Sequence, residues 1–310
     1  MIERLPVLVL EPHARCNCRC VMCDIWKITD AREISAAELE RHMADIERLQ
    51  VEWVVFSGGE PLMHSDLFRL SAMLSGRGIR TTILSTGLLL ERFAREIVAG
   101  VDDVIVSLDG PPTIHDQVRR VPEAFSRLAA GVRAIHALAP SFPISGRCTV
   151  QALNAEHLRA IVATARELGL RSISFLAADL TSAAFNRPIP WSSDRQSSVA
   201  PDGVALTREM EALISEYPND GFILESPAKL RRIVAPEGAP RCNAPWVSAV
   251  MEPNGDVRPC FFHPPIGNTA NSTLAQIVNS PEATAFRERL VVAEDPICRR
   301  CVCSLYVETT

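Results

Sequence analysis

The chain has 310 residues, 47% apolar and 22% charged, with a formal net charge of -5 and a pI near 5.9. Such a balance describes a globular protein with one large core and room for a small satellite domain. No block of lysine or arginine favours a nucleic acid or an anionic membrane, and no stretch approaches the roughly 20 apolar residues of a membrane span, so neither partner is expected.

An apolar run over 5–10 reads as a short buried strand, and it ends in EPHARCNCRCVMC, residues 11–23. Four cysteines fall there within eight residues. Cys16, Cys20 and Cys23 form C-x3-C-x2-C, a loop able to hold three thiolates around one inorganic cluster and leave one iron without a protein ligand. A four-thiolate zinc site or two disulfides that also use Cys18 are the alternatives. With a three-ligand site, Cys18 is surplus and structural.

Strands and amphipathic helices then alternate. Ser35 and Glu38 form a capping box that starts a helix over 35–50. A strand over 52–56 ends in Ser57-Gly58-Gly59-Glu60-Pro61, and a helix over 65–75 follows. The strand over 81–84 feeds Ser85-Thr86-Gly87, with a helix over 88–98. The strand over 104–108 runs into Asp109-Gly110. Helices over 122–137 and 154–169, the latter capped by Asn154, bracket a strand over 144–150, and a strand over 172–176 completes six units. The economical fold is an α/β partial (β/α)6 barrel, whose chemistry belongs at the carboxyl ends of its strands. Each unusual motif lies there.

Period-two alternation puts Arg147 and Thr149 on one face of the fifth strand and Cys148 and Val150 on the other. Arg147 facing the interior would meet a carboxylate of cofactor or substrate, leaving Cys148 against the helices. His115 reads as a capping or surface residue, and His13 and His263 as candidates for lining a pocket. Residues 177–203 are rich in Ser, Ala, Pro and Asp, with Pro188, Pro190 and Trp191 at the centre. Such a segment shapes the substrate opening or tethers two domains. A helix over 206–217 follows.

The last seventy or so residues carry a second thiol group. Cys242 opens it, an Asn254-Gly255 turn joins two short strands, Cys260 closes the hairpin, and Cys298, Cys301 and Cys303 end the chain. Helices are expected over 273–279 and 282–290. The expected division is a barrel core over 1–203, a helical connection over 204–235 and a cysteine-bearing α+β domain over 236–310. Cysteines gathered at two ends suit two metal sites in a reducing cytoplasm better than a distributed disulfide framework.

These motifs resemble the radical S-adenosylmethionine (radical SAM) superfamily, in the branch with a C-terminal SPASM or shortened twitch domain. The resemblance implies that Cys16, Cys20 and Cys23 hold a 4Fe-4S cluster whose open iron binds S-adenosyl-L-methionine. It implies that Gly58, Gly59 and Glu60 contact the cofactor's amino group, and Ser85, Ser107 and Asp109 its ribose or carboxylate. It also implies that Cys242, Cys260, Cys298 and Cys301, or Cys303 in place of Cys301, hold a second 4Fe-4S cluster. The implied activity is reductive cleavage to a 5′-deoxyadenosyl radical, hydrogen abstraction from a small polar substrate of sugar, aminocyclitol or nucleoside type, and two-electron oxidation aided by the auxiliary cluster, as in antibiotic pathways. An external one-electron donor such as flavodoxin or ferredoxin is the expected partner. With fifteen residues before Cys16, no leader-peptide domain is expected. A thiol-dependent epimerase, a peptide maturase and a noncatalytic metal-binding protein are the other readings.

Overall fold

A computed structural model describes residues 1–30, 32–182, 184, 191–217, 221–235, 240–303 and 305–308. Six parallel strands build the barrel: β1 (Val7–Leu10), β2 (Trp53–Phe56), β3 (Arg80–Ser85), β4 (Asp103–Ser107), β5 (Ile144–Val150) and β6 (Ile173–Ala177). Each pairs with its sequence neighbour. On the other side of β1, β7 (Ser248–Met251) adds in parallel, and β8 (Asp256–Arg258) and β9 (Gly267–Asn268) follow antiparallel. The result is one nine-stranded sheet, continuous from the barrel into the C-terminal hairpin.

The helices of the barrel are α1 (Ala36–Arg48), α2 (Leu67–Ser75), α3 (Ala94–Gly100), α4 (Pro112–Arg119), α5 (Ala124–Leu138) and α6 (Leu158–Glu167). The capping box forms as expected, Glu38 N–H donating to Ser35 Oγ and Ser35 N–H to Glu38 Oε2. Beyond the barrel lie α7 (Ser193–Val199), α8 (Gly203–Glu216), α9 (Pro227–Val234), α10 (Ala244–Val247), α11 (Leu274–Val278), α12 (Pro281–Arg289) and α13 (Pro296–Arg299). None of the described helices is long and apolar enough to cross a membrane.

Three local expectations are corrected. Residues 88–93 are turns, so the third helix starts only at Ala94. The segment after β4 forms a helix of its own, α4, whose proline lies in the first turn, where a missing N–H costs no hydrogen bond. Asn154 does not cap α6; its side chain bridges Gln151 N–H and the carbonyls of Asp109 and Thr149, tying the β5 and β4 loops together.

The two faces of the strands differ. Leu8, Leu10, Val54, Phe56, Ile83, Val104, Val106, Cys148 and Phe175 are buried in a core shared with the helices, each large side chain contributing on the order of 2 kcal/mol. The opposite face of β4 and β5, which carries Ile105, Ser107, Ser145, Arg147 and Thr149, is only half buried. A closed barrel would fill that face with its own side chains. Here it lines an open interior.

Candidate active site

The cysteine loop leaves β1 and is held from two sides. The C-terminal carbonyls of α4 accept from it, Val118 O from Val21 N–H at 3.0 Å and Arg119 O from Arg19 N–H at 3.1 Å. On the other side lies the glycine loop after β2. A Cβ on Gly59 would stand 2.0 Å from Arg15 O and 2.6 Å from Ala14 O, and Glu60 N–H donates to Arg15 O at 2.8 Å. Gly58 has φ +94° and would meet His13 O at 2.8 Å. The two glycines are therefore required for backbone to lie directly on backbone.

Within this loop Cys16, Cys20 and Cys23 lie close enough for their charges to interact. Cys18 is buried and its thiol hydrogen-bonds Cys20. That bond is the largest influence lowering the Cys20 thiol to about 7, with burial opposing it and Arg119 assisting. Burial raises Cys16 to about 12 and pushes Cys23 up as well. Ile25 N–H lies 3.5 Å from Cys23 Sγ, and Cys18 N–H also donates to Cys16.

Glu60 is fully buried. It was expected to meet a ligand ammonium, yet its carboxylate is engaged by the chain: Leu62 N–H at 3.1 Å, Ser85 Oγ at 3.1 Å, Thr86 N–H at 2.6 Å and Thr86 Oγ1 at 2.6 Å. Burial raises its pKa against the pull of these donors. Thr86 Oγ1 also lies 2.9 Å from Asn17 Oδ1, so Glu60 and Thr86 brace three loops, those after β1, β2 and β3. Ser107, by contrast, stays half-exposed on the interior face, paired in register with Arg147.

Asp109 is likewise buried and engaged. Thr149 N–H donates to it at 2.8 Å and the Arg119 guanidinium forms an ion pair with it. Burial raises the Asp109 pKa and Arg119 opposes the rise. His115 is not a surface residue: it is buried, its Nδ1 accepts from Asp109 N–H at 3.2 Å, and its ring stands edge-on to Phe125. Burial lowers its pKa to about 3. His13 is also buried rather than pocket-lining, its Nδ1 accepting from Arg15 N–H at 3.0 Å, and burial lowers it to about 4.

Arg147 faces the interior, with Nε 3.3 Å from Ser174 Oγ, while Cys148 is buried on the helix side beside Asn154. Trp191 does not shape an opening. It is buried against the cysteine loop, with Nε1 donating to Asp24 Oδ2 at 2.9 Å, and Arg195 adds a bidentate pair to the same carboxylate. Pro188 and Pro190 lie outside the described residues.

The second thiol group forms where the hairpin and the C-terminal tail meet. Cys242, Cys260 and Cys301 lie within electrostatic reach of one another, and Cys298 is within reach of Cys242 and Cys260. Cys303 reaches Cys242, and its N–H lies 3.4 Å from Cys301 Sγ. Burial raises Cys260 to about 12. His263 is buried too, Nε2 3.3 Å from Cys298 Sγ.

Among the described residues, the one set of three candidate metal-binding atoms lying within 4.8 Å of one another is His263, Asp295 and Cys298. Asp295 is occupied there in capping α13, accepting from Ile297 N–H and Cys298 N–H. A single zinc with thiolates at about 2.3 Å would draw its sulfurs to roughly 3.8 Å apart. Both cysteine groups offer thiol donors with backbone N–H groups aimed at sulfur, a donor set that suits iron-sulfur clusters.

A half-open parallel barrel with a three-thiol loop at the carboxyl end of its first strand, and a second thiol group built from its last strands, defines an iron-sulfur protein with one open and one auxiliary site. The profile described as Radical SAM superfamily matches residues 10–175, and one described as an iron-sulfur cluster-binding domain, SPASM, matches residues 242–302. The chain belongs to the radical SAM superfamily and carries a SPASM domain, and its cofactors are S-adenosyl-L-methionine and 4Fe-4S clusters, the auxiliary one included.

Over 168 residues it is 30% identical to an AdoMet-dependent heme synthase of Methanosarcina barkeri, a match covering 53% of this chain and 48% of that protein. The matched region thus spans about half the length of that relative. A PqqA peptide cyclase of Gluconobacter oxydans is 24% identical over 307 residues, 95% of this chain and 82% of the relative. The solved structure of Streptococcus suis SuiB bound to S-adenosylmethionine superposes with a TM-score of 0.72 at 15% identity, covering 98% of this chain and 73% of that one. That likeness bears on the fold.

Proposed function

We propose that this radical SAM enzyme is an oxidoreductase acting on a small polar substrate that bears a carboxylate or phosphate. The carrying observation is a cavity of about 240 Å³ beyond the carboxyl end of β6, whose lining includes Phe175, Asp179, Lys229, Arg232, Arg300 and Cys301. Lys229, Arg232 and Arg300 there outnumber Asp179 and the Glu225 carboxylate that pairs with Lys229 at 3.8 Å, a balance that favours an anion over the aminocyclitol among the expected classes. Cys301, a candidate auxiliary ligand, lies on the same wall. That position supports electron transfer from substrate to auxiliary cluster, the step a two-electron oxidation requires.

Cys16, Cys20 and Cys23 are the proposed ligands of the open cluster, and Cys242, Cys260, Cys298 and Cys301 of the auxiliary one. Bound there, cluster and S-adenosyl-L-methionine supply hydrogen-atom abstraction from an unactivated carbon. The chain's own residues do the positioning. Because the Glu60 carboxylate is engaged by Ser85 and Thr86 and its carbonyl by Met63 N–H, the carbonyls of Gly58 and Gly59 are the proposed acceptors for the cofactor's ammonium, with Glu60 fixing the loop. Arg147, Ser107 and Thr149 on the interior face hold carboxylate or ribose oxygens. Cys148 is fully buried beside Asn154, and that burial weighs against epimerisation through it. A flavodoxin or ferredoxin in the cytoplasm is the proposed electron source.

The test is anaerobic turnover in deuterated water with reductant and anionic small molecules set against neutral and peptide ones. One 5′-deoxyadenosine per product two electrons more oxidised, with no non-exchangeable solvent deuterium at the attacked carbon, supports the reading. An unoxidised product with one carbon-bound deuterium, or turnover confined to peptides, overturns it.

A further inference from the structure

The cysteine loop holds one charged side chain that the reading above does not use. Arg119 ends α4, 99 residues from Cys20 in sequence, and is only 6% exposed. Its Nη1 lies 3.5 Å from Cys20 Sγ, within hydrogen-bonding reach of a sulfur acceptor. Its Nη2 pairs with Asp109, whose other oxygen accepts from Thr149 N–H. The Arg119 carbonyl meanwhile accepts from Arg19 N–H, so the residue grips the loop by backbone and side chain together.

A buried guanidinium is costly unless its partners compensate, and Asp109 does so on one side only. The other side of the fork is aimed at a thiol. The potential of an iron-sulfur cluster depends on nearby charge and on hydrogen bonds to its sulfurs, both of which draw electron density from the iron and favour the reduced form. Asp109 has the opposite effect of charge. Together they make a fixed dipole whose positive end touches the ligand and whose negative end lies one side chain further out.

We propose that Arg119 is a positioning residue that sets the reduction potential of the cluster at Cys16, Cys20 and Cys23, raising it through Cys20 Sγ, with Asp109 holding and partly offsetting the charge. This rests on those three cysteines being the ligands of the open cluster. The group that cleaves the cofactor must accept an electron from an external donor, so the Arg119–Asp109 pair tunes how strong that donor has to be.

The experiment is an electron-paramagnetic-resonance redox titration of the anaerobically reconstituted enzyme without S-adenosylmethionine. The signal that vanishes when Cys16, Cys20 and Cys23 are replaced together identifies the cluster. If that variant keeps both clusters, the ligand reading fails, and the Arg119 proposal with it.

With the signal assigned, Arg119→Met should make its potential more negative. At a fixed poise the reduced-to-oxidised ratio should fall about tenfold, equivalent to about 59 mV for a one-electron couple. Arg119→Lys, which keeps the charge, should recover part of the shift. Asp109→Asn keeps one acceptor, for Thr149 N–H, while turning an amide NH2 toward Arg119, and it removes the offsetting charge, so it should move the potential the other way as long as Arg119 stays at Cys20. This variant decides the matter if Arg119→Met fails to hold iron. An unchanged potential in Arg119→Met with full iron content, or Asp109→Asn shifting the same way as Arg119→Met or not at all, overturns the proposal.

Discussion

The two thiol groups differ in how they are built. The N-terminal loop lies between two backbone surfaces, the glycine loop on one side and the end of α4 on the other, and its neighbours Glu60, Asp109, His115 and His13 are all buried. The C-terminal group draws on a hairpin end, a short helix and an irregular tail, and Cys303 is exposed. A cluster that must also present an open iron to a cofactor needs its geometry held by more than its ligands. One that only stores or passes an electron is already fixed by four thiolates.

The strongest way to break this comparison is Gly59→Ala. The added methyl group has no room against Arg15 O and Ala14 O, and backbone on both sides cannot yield. Iron content should fall from about eight per chain to about four, counting four per cluster. Cofactor cleavage should be abolished while the second cluster stays. Iron and sulfide assays with a cleavage assay decide it, and eight irons with normal cleavage would show that the loops do not need their close approach.

A smaller effect is expected at the other group. Cys301→Ser should remove the auxiliary cluster and leave the first intact, because Cys301 reaches both Cys242 and Cys260. Cys303→Ser should keep both clusters, since Cys303 reaches Cys242 and instead lies near Arg147 and Lys229. Mössbauer quantification separates the outcomes, and the reverse pattern would reassign the fourth ligand.

The smallest effect is acid sensitivity of the N-terminal cradle. In the unfolded chain His13 and His115 take up protons near pH 6.5, whereas folded they stay neutral down to about 4 and about 3. The unfolded state therefore binds more protons below pH 6.5, and stability declines as pH falls, by about 1.4 kcal/mol per unit and group. Thermal melts from pH 7 to 5 should show this slope, shallower in His115→Gln. An unchanged slope would place the acid response elsewhere.

Much of this architecture was legible because its signals are local: three cysteines at short spacing, two glycines after a strand, a capping box, and alternation that put Arg147 inside and Cys148 outside. What was missed is nonlocal. Glu60 looks like a free acceptor until Ser85 and Thr86, 25 and 26 residues on, are folded against it. His115 looks like a surface residue because the helix carrying it was not foreseen, and nothing near Trp191 in sequence announces Asp24, 167 residues away. Asn154 followed the usual rule for a helix cap, yet three backbone partners, from the end of β5 and the loops after β4 and β5, engage it instead.

The pairing of β7 with β1 has a consequence for where the chain can be cut. Leu10 opposite Met251, and Glu11 N–H on Met251 O, mean that the first strand is an interior strand only because one from the last quarter of the chain covers it. A fragment ending at residue 203 would leave an apolar edge of unsatisfied N–H and carbonyl groups beside the cysteine loop, a template for strand addition by a second chain. Cut there, the barrel region should self-associate, because it would lose the strand of the SPASM region that now covers β1.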